Sequence, residues 1–191
     1  MNRIIRDPCI QQPIEQRYHL LPKNENFRTF SINVEKIASV SRTSPTDLSD
    51  CDLTAFPIGI FLSLKNVSGN ISSISLANNE LKSLPGKFFT TFQNLEDLDL
   101  EGNLLQKLPV EVGLLPKLKK INLSRNKFEV FPGELTKLQG MESINLEGNQ
   151  IKDIPLDELK KMPQLSSVNV KMNPVHKECL NLSDVKFEFA L

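Results

Sequence analysis

ISSISLANNEL (71–81), LEDLDLEGNLL (95–105), LKKINLSRNKF (118–128), MESINLEGNQI (141–151) and LSSVNVKMNPV (165–175) align without a gap. Each fits the pattern apolar-x-x-apolar-x-apolar-x-x-Asn-x-apolar. The asparagines are Asn79, Asn103, Asn126, Asn149 and Asn173, spaced 24, 23, 23 and 24 residues apart. One match of this length could be chance, whereas five at a fixed period mark a stacked repeat fold. Upstream, TDLSDCDLTAFP (46–57) aligns with ISLANNELKSLP (74–85), with Cys51 in the asparagine position and Leu48 and Leu53 in apolar ones. Cys51 lies 28 residues before Asn79, so this first unit carries about four or five extra residues near Leu64–Asn70.

The pattern has a direct physical reading. In LDL (98–100), INL (121–123) and INL (144–146), alternation sends the apolar residues to one face and the middle residue to the other. Each short strand pairs in parallel with its counterpart one repeat away, and the stacked leucines fill a core that no single repeat could close. The asparagine lies where the chain leaves the strand, and its amide can donate to and accept from backbone groups of neighbouring turns. Cys51, with its weak S–H donor, offers a lesser version of the same contact as a structural thiol. The variable halves SLPGKFFTTFQNL, KLPVEVGLLPKL, VFPGELTKLQGM and DIPLDELKKMPQL share a proline after an apolar residue and a later apolar pair. Such a proline fixes φ and withholds an N–H, which suits a turn entering a helical segment.

On these residues the stretch 46–175 resembles the leucine-rich repeat family. The resemblance implies an α/β curved solenoid, with a parallel sheet on the concave face and short helices or turns on the convex face. Six repeats are expected over 46–175. Both ends of such a core need covering. Asn33 or Ser31 can cap a helix in which Val34, Ile37, Ala38 and Ser41 share a face, so a capping helix is expected over 33–45. Residues 1–32, with Pro8, Pro13 and Pro22 and no clean period, read as a mobile arm. At the other end, 176–191 reads as a cap. Val185, Phe187, Phe189 and Leu191 alternate there, and Phe187 and Phe189 fall 19 residues after Val168 and Val170. A last edge strand is expected, its phenylalanines closing the core and Lys186 and Glu188 facing outward.

Composition narrows the function. Lys+Arg and Asp+Glu are both 23, so the net charge is zero, which argues against a nucleic-acid binder. With no Trp and one Tyr, Tyr18, aromatic anchors are scarce. The N-terminal stretch has no apolar run of a secretory signal, and no run of apolar residues is long enough for membrane insertion. Cys9, Cys51 and Cys179, odd in number and unclustered, fit free thiols of a cytoplasmic protein. The triplets starting at Asn66, Asn70, Asn122 and Asn181 then read as chance Asn-x-Ser matches.

Chemistry-bearing motifs are lacking: there is no phosphate loop, paired-histidine metal motif or Cys-x-x-Cys, and His19 and His176 sit near opposite ends of the chain. No cofactor, metal or catalytic residue is expected. The candidate surface is the concave face, where outward strand positions form columns. The first is Ser73, Asp97, Lys120, Ser143, Ser167; the middle is Asp47, Ser75, Asp99, Asn122, Asn145, Asn169; the third is Ala77, Glu101, Ser124, Glu147, Lys171. With strands about 4.8 Å apart they make one polar sheet. Glu96, Asp97, Asp99 and Glu101 form an acidic band, Lys119, Lys120 and Arg125 a basic one, and Glu142 and Glu147 a second acidic one. Asp97, Asp99, Glu101, Lys119, Lys120, Asn122, Arg125, Glu142, Asn145, Glu147 and Asn169 are the expected partner contacts, and Cys51, Asn79, Asn103, Asn126, Asn149 and Asn173 the structural ladder. The expected function is that of a non-enzymatic, monomeric intracellular adaptor that binds another protein. The alternatives are an extracellular or receptor-type binding domain and a regulatory subunit of a signalling enzyme.

Overall fold

The computed structural model describes residues 46–56, 61 and 68–191; the expected arm over 1–32 and capping helix over 33–45 lie outside the described residues. Among the described residues, seven short strands form one parallel open sheet in chain order. They are β1 (Thr46–Asp47), β2 (Ser73–Ser75), β3 (Asp97–Asp99), β4 (Lys120–Asn122), β5 (Ser143–Asn145), β6 (Ser167–Asn169) and β7 (Glu188–Ala190). The register follows the repeat, since Ile74, Leu98, Ile121, Ile144 and Val168 are aligned from strand to strand. Asp47 pairs with Ser75, which fixes the long first unit. Pairing continues past each strand, where Asn78, Gly102, Arg125 and Gly148 N–H groups donate to the carbonyls of Glu101, Ser124, Glu147 and Lys171.

The convex side is built by the variable halves. Two of them form short α-helices, α1 (Gly86–Thr91) and α2 (Leu156–Leu159), and two form 3-10 helices, Val110–Leu114 and Gly133–Lys137. Pro85, Pro109, Pro132 and Pro155 stand immediately before these four helices, with φ between −70° and −77°. Each proline carbonyl accepts an N–H from its helix, from Phe88, Val112, Leu135 and Leu159. The proline therefore begins the turn without leaving an N–H of its own unpaired.

Between sheet and helices runs a single core. Leu76, Leu81, Leu95, Leu98, Leu100, Leu105, Leu123, Leu146 and Ile151 are fully buried. The later apolar pairs do not all point inward. In Leu114–Leu115 only Leu115 is buried, while Leu114 is 64% exposed and Val110 67%. The tight winding of a 3-10 helix gives this half one inward stripe and no room for a second apolar neighbour. At the N-terminal end Phe88, Phe89 and Phe92 of the α1 region are fully buried. Phe88 makes edge contacts of 5.0 Å with both Phe56 and Phe92. Phe61 lies 5.2 Å from Phe56, and Lys87 Nζ stands 5.3 Å over the Phe61 ring.

At the other end β7 pairs with β6 through Val168↔Phe189, a separation of 21 residues rather than 19. Phe187 thus precedes the strand and is buried, whereas Phe189 is half-buried beside it, the two rings 6.1 Å apart in an edge contact.

One backbone feature repeats down the stack. The residue before each ladder position has left-handed φ: Asp50 at 53°, Asn78 at 53°, Gly102 at 65°, Arg125 at 56°, Gly148 at 68° and Met172 at 56°. The chain must reverse there to leave the strand, and in only two units does glycine remove the cost of doing so.

Candidate partner-binding face

Two hydrogen-bond ladders hold the face. The first belongs to the repeat asparagines. Asn103 Nδ2 donates to Leu76 O of the preceding repeat at 2.9 Å and to Leu100 O and Glu101 O of its own turn, while Oδ1 accepts the Leu81 N–H at 3.0 Å. Asn126 repeats this with Leu100, Leu123, Ser124 and Leu105. Asn149 does so with Leu123, Leu146, Glu147 and Phe128, and Asn173 with Leu146, Val170, Lys171 and Ile151. Asn79 serves the first unit through Leu48 O, and its Oδ1 accepts both the Cys51 and Leu53 N–H groups. Cys51 Sγ donates to Ser49 O at 3.2 Å, the carbonyl two residues back that each asparagine also reaches. Buried polar atoms in this seam are satisfied by side chains from the next repeat along.

The second ladder is not evident from the pattern. Every polar side chain of the middle column accepts the N–H two residues ahead: Asp47 from Ser49, Ser75 from Ala77, Asp99 from Glu101, Asn122 from Ser124, Asn145 from Glu147 and Asn169 from Lys171. These are the short polar side chains that hold an adjacent turn. The free amides then reach sideways. Asn122 Nδ2 donates to Glu101 Oε2 at 3.1 Å, Asn145 Nδ2 to Asn122 Oδ1 at 3.0 Å and Asn169 Nδ2 to Glu147 Oε2 at 2.8 Å. Asn122, Asn145 and Asn169 are therefore tied into the sheet as well as displayed on it. A side chain whose partner lies 21–23 residues back, on the preceding repeat, cannot be paired by reading one repeat alone.

Charges on the face are partly neutralised. Lys119 Nζ lies 2.7 Å from Glu96 Oε2 and Arg125 Nη1 lies 3.5 Å from Glu101 Oε1. The hydrogen bond and charge of Lys119 hold the Glu96 carboxyl below its ordinary range and raise the Lys119 ammonium above its own. Burial raises the Asp99 carboxyl, opposed by the Glu101 N–H and reinforced by the charges of Glu101 and Asp97. Among the described residues, Asp97 and Lys120, aligned partners in the first column and both exposed, take part in no ion pair. Glu142 and Glu147 follow one rung on, both partly buried.

Nothing else described converges on chemistry. No group of three or more His, Cys, Asp or Glu among the described residues could hold a metal ion. His176 Nδ1 lies 3.2 Å from Asp153 Oδ1 in an exposed pair, while His19 lies outside the described residues. A depression of about 350 Å³ on the flank is lined by Lys82, Leu104, Gln106 and Lys127. Among the described residues no helix is long and apolar enough to cross a membrane.

The profile of the leucine rich repeat family matches residues 69–128 and 116–175. The chain belongs to the leucine-rich repeat family. It is 52% identical over 135 residues to leucine-rich repeat-containing protein 20 of mouse, covering 71% of this chain and 73% of that protein. The human protein of the same name is 57% identical over 79 residues, 41% of this chain and 43% of its own length. A leucine-rich repeat protein of Leptospira interrogans superposes with a TM-score of 0.59 at 28% identity, over 65% of this chain and 30% of that one. The leucine-rich repeat solenoid is thus supported by sequence, backbone and both hydrogen-bond ladders. Leucine-rich repeat proteins generally work by holding other proteins on an extended surface.

Proposed function

We propose that this protein is a non-enzymatic intracellular binding module that captures a partner protein on the concave sheet face. The observation that carries the reading is the ordered charge pattern on a stiff support. Asp97, Lys120, Glu142 and their neighbours stand on consecutive rungs, and the second ladder fixes the backbone beneath them. Binding then spends little conformational entropy on the support, which favours affinity at a given contact area. Opposed charge bands supply register and on-rate more than raw affinity. Asp97, Asp99, Glu101, Lys119, Lys120, Asn122, Arg125, Glu142, Asn145, Glu147 and Asn169 make up the proposed contact surface. The chain acts as a monomer, its sheet left open for the partner.

The test is a double reversal at two exposed positions, Asp97→Lys with Lys120→Glu, made in the full chain and followed by proximity labelling in cells. The expected result is an unchanged circular dichroism spectrum and loss of the labelled partner set. An unaltered partner set with both residues reversed would remove the concave face from the reading.

A further inference from the structure

One long apolar side chain at the rim of the concave face lies outside the core. Met172 is 79% exposed and stands at φ 56°, a left-handed conformation that suits glycine or asparagine better. In its column of turn residues it follows Arg125 and Gly148, each one rung apart. The Arg125 N–H donates to Glu147 O at 2.7 Å and the Gly148 N–H to Lys171 O at 2.9 Å. The rung spacing of the sheet, about 4.8 Å, therefore holds beyond the strand ends. Arg125 and Met172 face each other across a glycine that puts no side chain between them.

The opening over Gly148 has a definite width. A Cβ on Gly148 would lie 3.6 Å from Arg125 Cγ, and the three atoms nearest to it all belong to Arg125. The Arg125 stem thus leans at least about 1 Å into the opening. Its guanidinium is held from the other side by Glu101, 3.5 Å away. At most about 8.4 Å is left between that stem and the Met172 Cβ. A flat ring in van der Waals contact with both walls needs about 7–8 Å. A puckered or branched aliphatic group is a second carbon layer thick and needs about 9.5 Å. Gly102, the other glycine of the column, has no such opening, because the Asn78 carboxamide already overhangs it.

A cation stands beside the slot. Lys171 is exposed and enters no ion pair among the described residues, while Glu147 on the preceding rung accepts from Asn169 Nδ2 at 2.8 Å. We infer that the slot between Arg125 and Met172 takes one aromatic side chain of the partner, with a carboxylate next to it in sequence meeting Lys171. The thioether and the methylene stem give the ring two apolar walls. This rests on the concave face being the binding surface, and it adds an anchor to a face whose columns carry no aromatic residue of their own.

The test uses three capped dipeptides: acetyl-Phe-Asp-amide, acetyl-cyclohexylalanyl-Asp-amide and acetyl-Phe-Lys-amide. Each is titrated into the full chain and followed by the amide shifts of residues 148 and 172. Phe and cyclohexylalanine share a carbon skeleton and differ in thickness. The Phe-Asp peptide is expected to saturate in the millimolar range and to bind at least about fivefold more tightly than either of the others. Gly148→Asn fills the slot with a residue type that the column already carries at left-handed φ in Asn78. It is expected to abolish the shifts and leave the circular dichroism spectrum unchanged. Met172→Asn removes one wall and is expected to weaken Phe-Asp to the level of the cyclohexyl peptide. Equal affinity of Phe-Asp and either control, no saturable binding of Phe-Asp, or binding that survives Gly148→Asn would overturn the inference. The cellular double reversal is read separately. Loss of partner labelling there, with Phe and cyclohexylalanine bound alike here, retains the face and discards the slot.

Discussion

At the scale of single residues the two ladders divide the work. Asn126 joins Leu100 O, Leu123 O and the Leu105 N–H in a buried seam. An orphaned buried polar group costs about 1–3 kcal/mol, so Asn126→Ala should lower unfolding stability by at least about 3 kcal/mol in urea titration. The left-handed column gives a second case. A Cβ on Gly102 would meet only the exposed end of the Asn78 side chain, which can turn away, and on Gly148 nothing comes nearer than 3.6 Å. Gly102→Ala and Gly148→Ala should therefore each cost about 1–2 kcal/mol from φ alone in the same titration. Asp99 carries a pH prediction. Its carboxyl is raised by burial, so the folded chain binds that proton more tightly than the unfolded one. Stability is then lost as pH rises from the unfolded carboxylate range through the raised folded value. Asp99→Asn keeps an acceptor for the Glu101 N–H and should be more stable than the parent at neutral pH, the gap closing in acid. A gap that widened in acid would contradict the assignment. Much of this scale was legible: the period exposed the first asparagine ladder. The lateral amides of Asn122, Asn145 and Asn169 were not, because they link positions that only the register brings together. The left-handed turns at Arg125 and Met172 were hidden as well, since these residue types do not announce that conformation as Gly102, Gly148 and Asn78 do.

Among the elements, the sheet was readable and the convex side only partly so. A period of two residues fixes which side chains enter the core, and a one-residue slip would expose the whole set. The proline-led halves offer no such rule, because an α-turn and a 3-10 turn share a start and differ in what they bury. Phe88 shows how much rests on α1. It is fully buried and touches Phe56, Phe89 and Phe92. Phe88→Ala should cost about 3–5 kcal/mol, whereas Val110→Ala, at a position 67% exposed, should stay within about 0.5 kcal/mol. The cluster escaped sequence reading because Phe56 and Phe61 belong to the irregular first unit, where the repeat offers no template.

Over the whole molecule the solenoid is quasi-one-dimensional, each repeat touching only its neighbours. Its seven strands keep chain order, so stability passes from rung to rung and the ends decide whether the core stays covered. A chain stopped after Val175 loses β7 and the buried Phe187, and it bares the β6 edge with Leu165 and Val168 beneath it. That product should scatter light on concentration, where the full chain stays clear. The fold at this scale was the most legible part of the sequence. The binding face was legible as columns, but not as a surface in which some charges are already answered by neighbours and others are left open.

The asparagine seam also has a direction. Asn79 closes the turn of the unit before it, Asn103 the next, and so on to Asn173. Each unit but the last waits for a side chain 23 to 28 residues beyond its own ladder position. On the ribosome this sets an order of events. A freshly emerged repeat stays provisional until its successor clears the exit tunnel, so the solenoid is completed one unit behind synthesis, from its first repeat to its last.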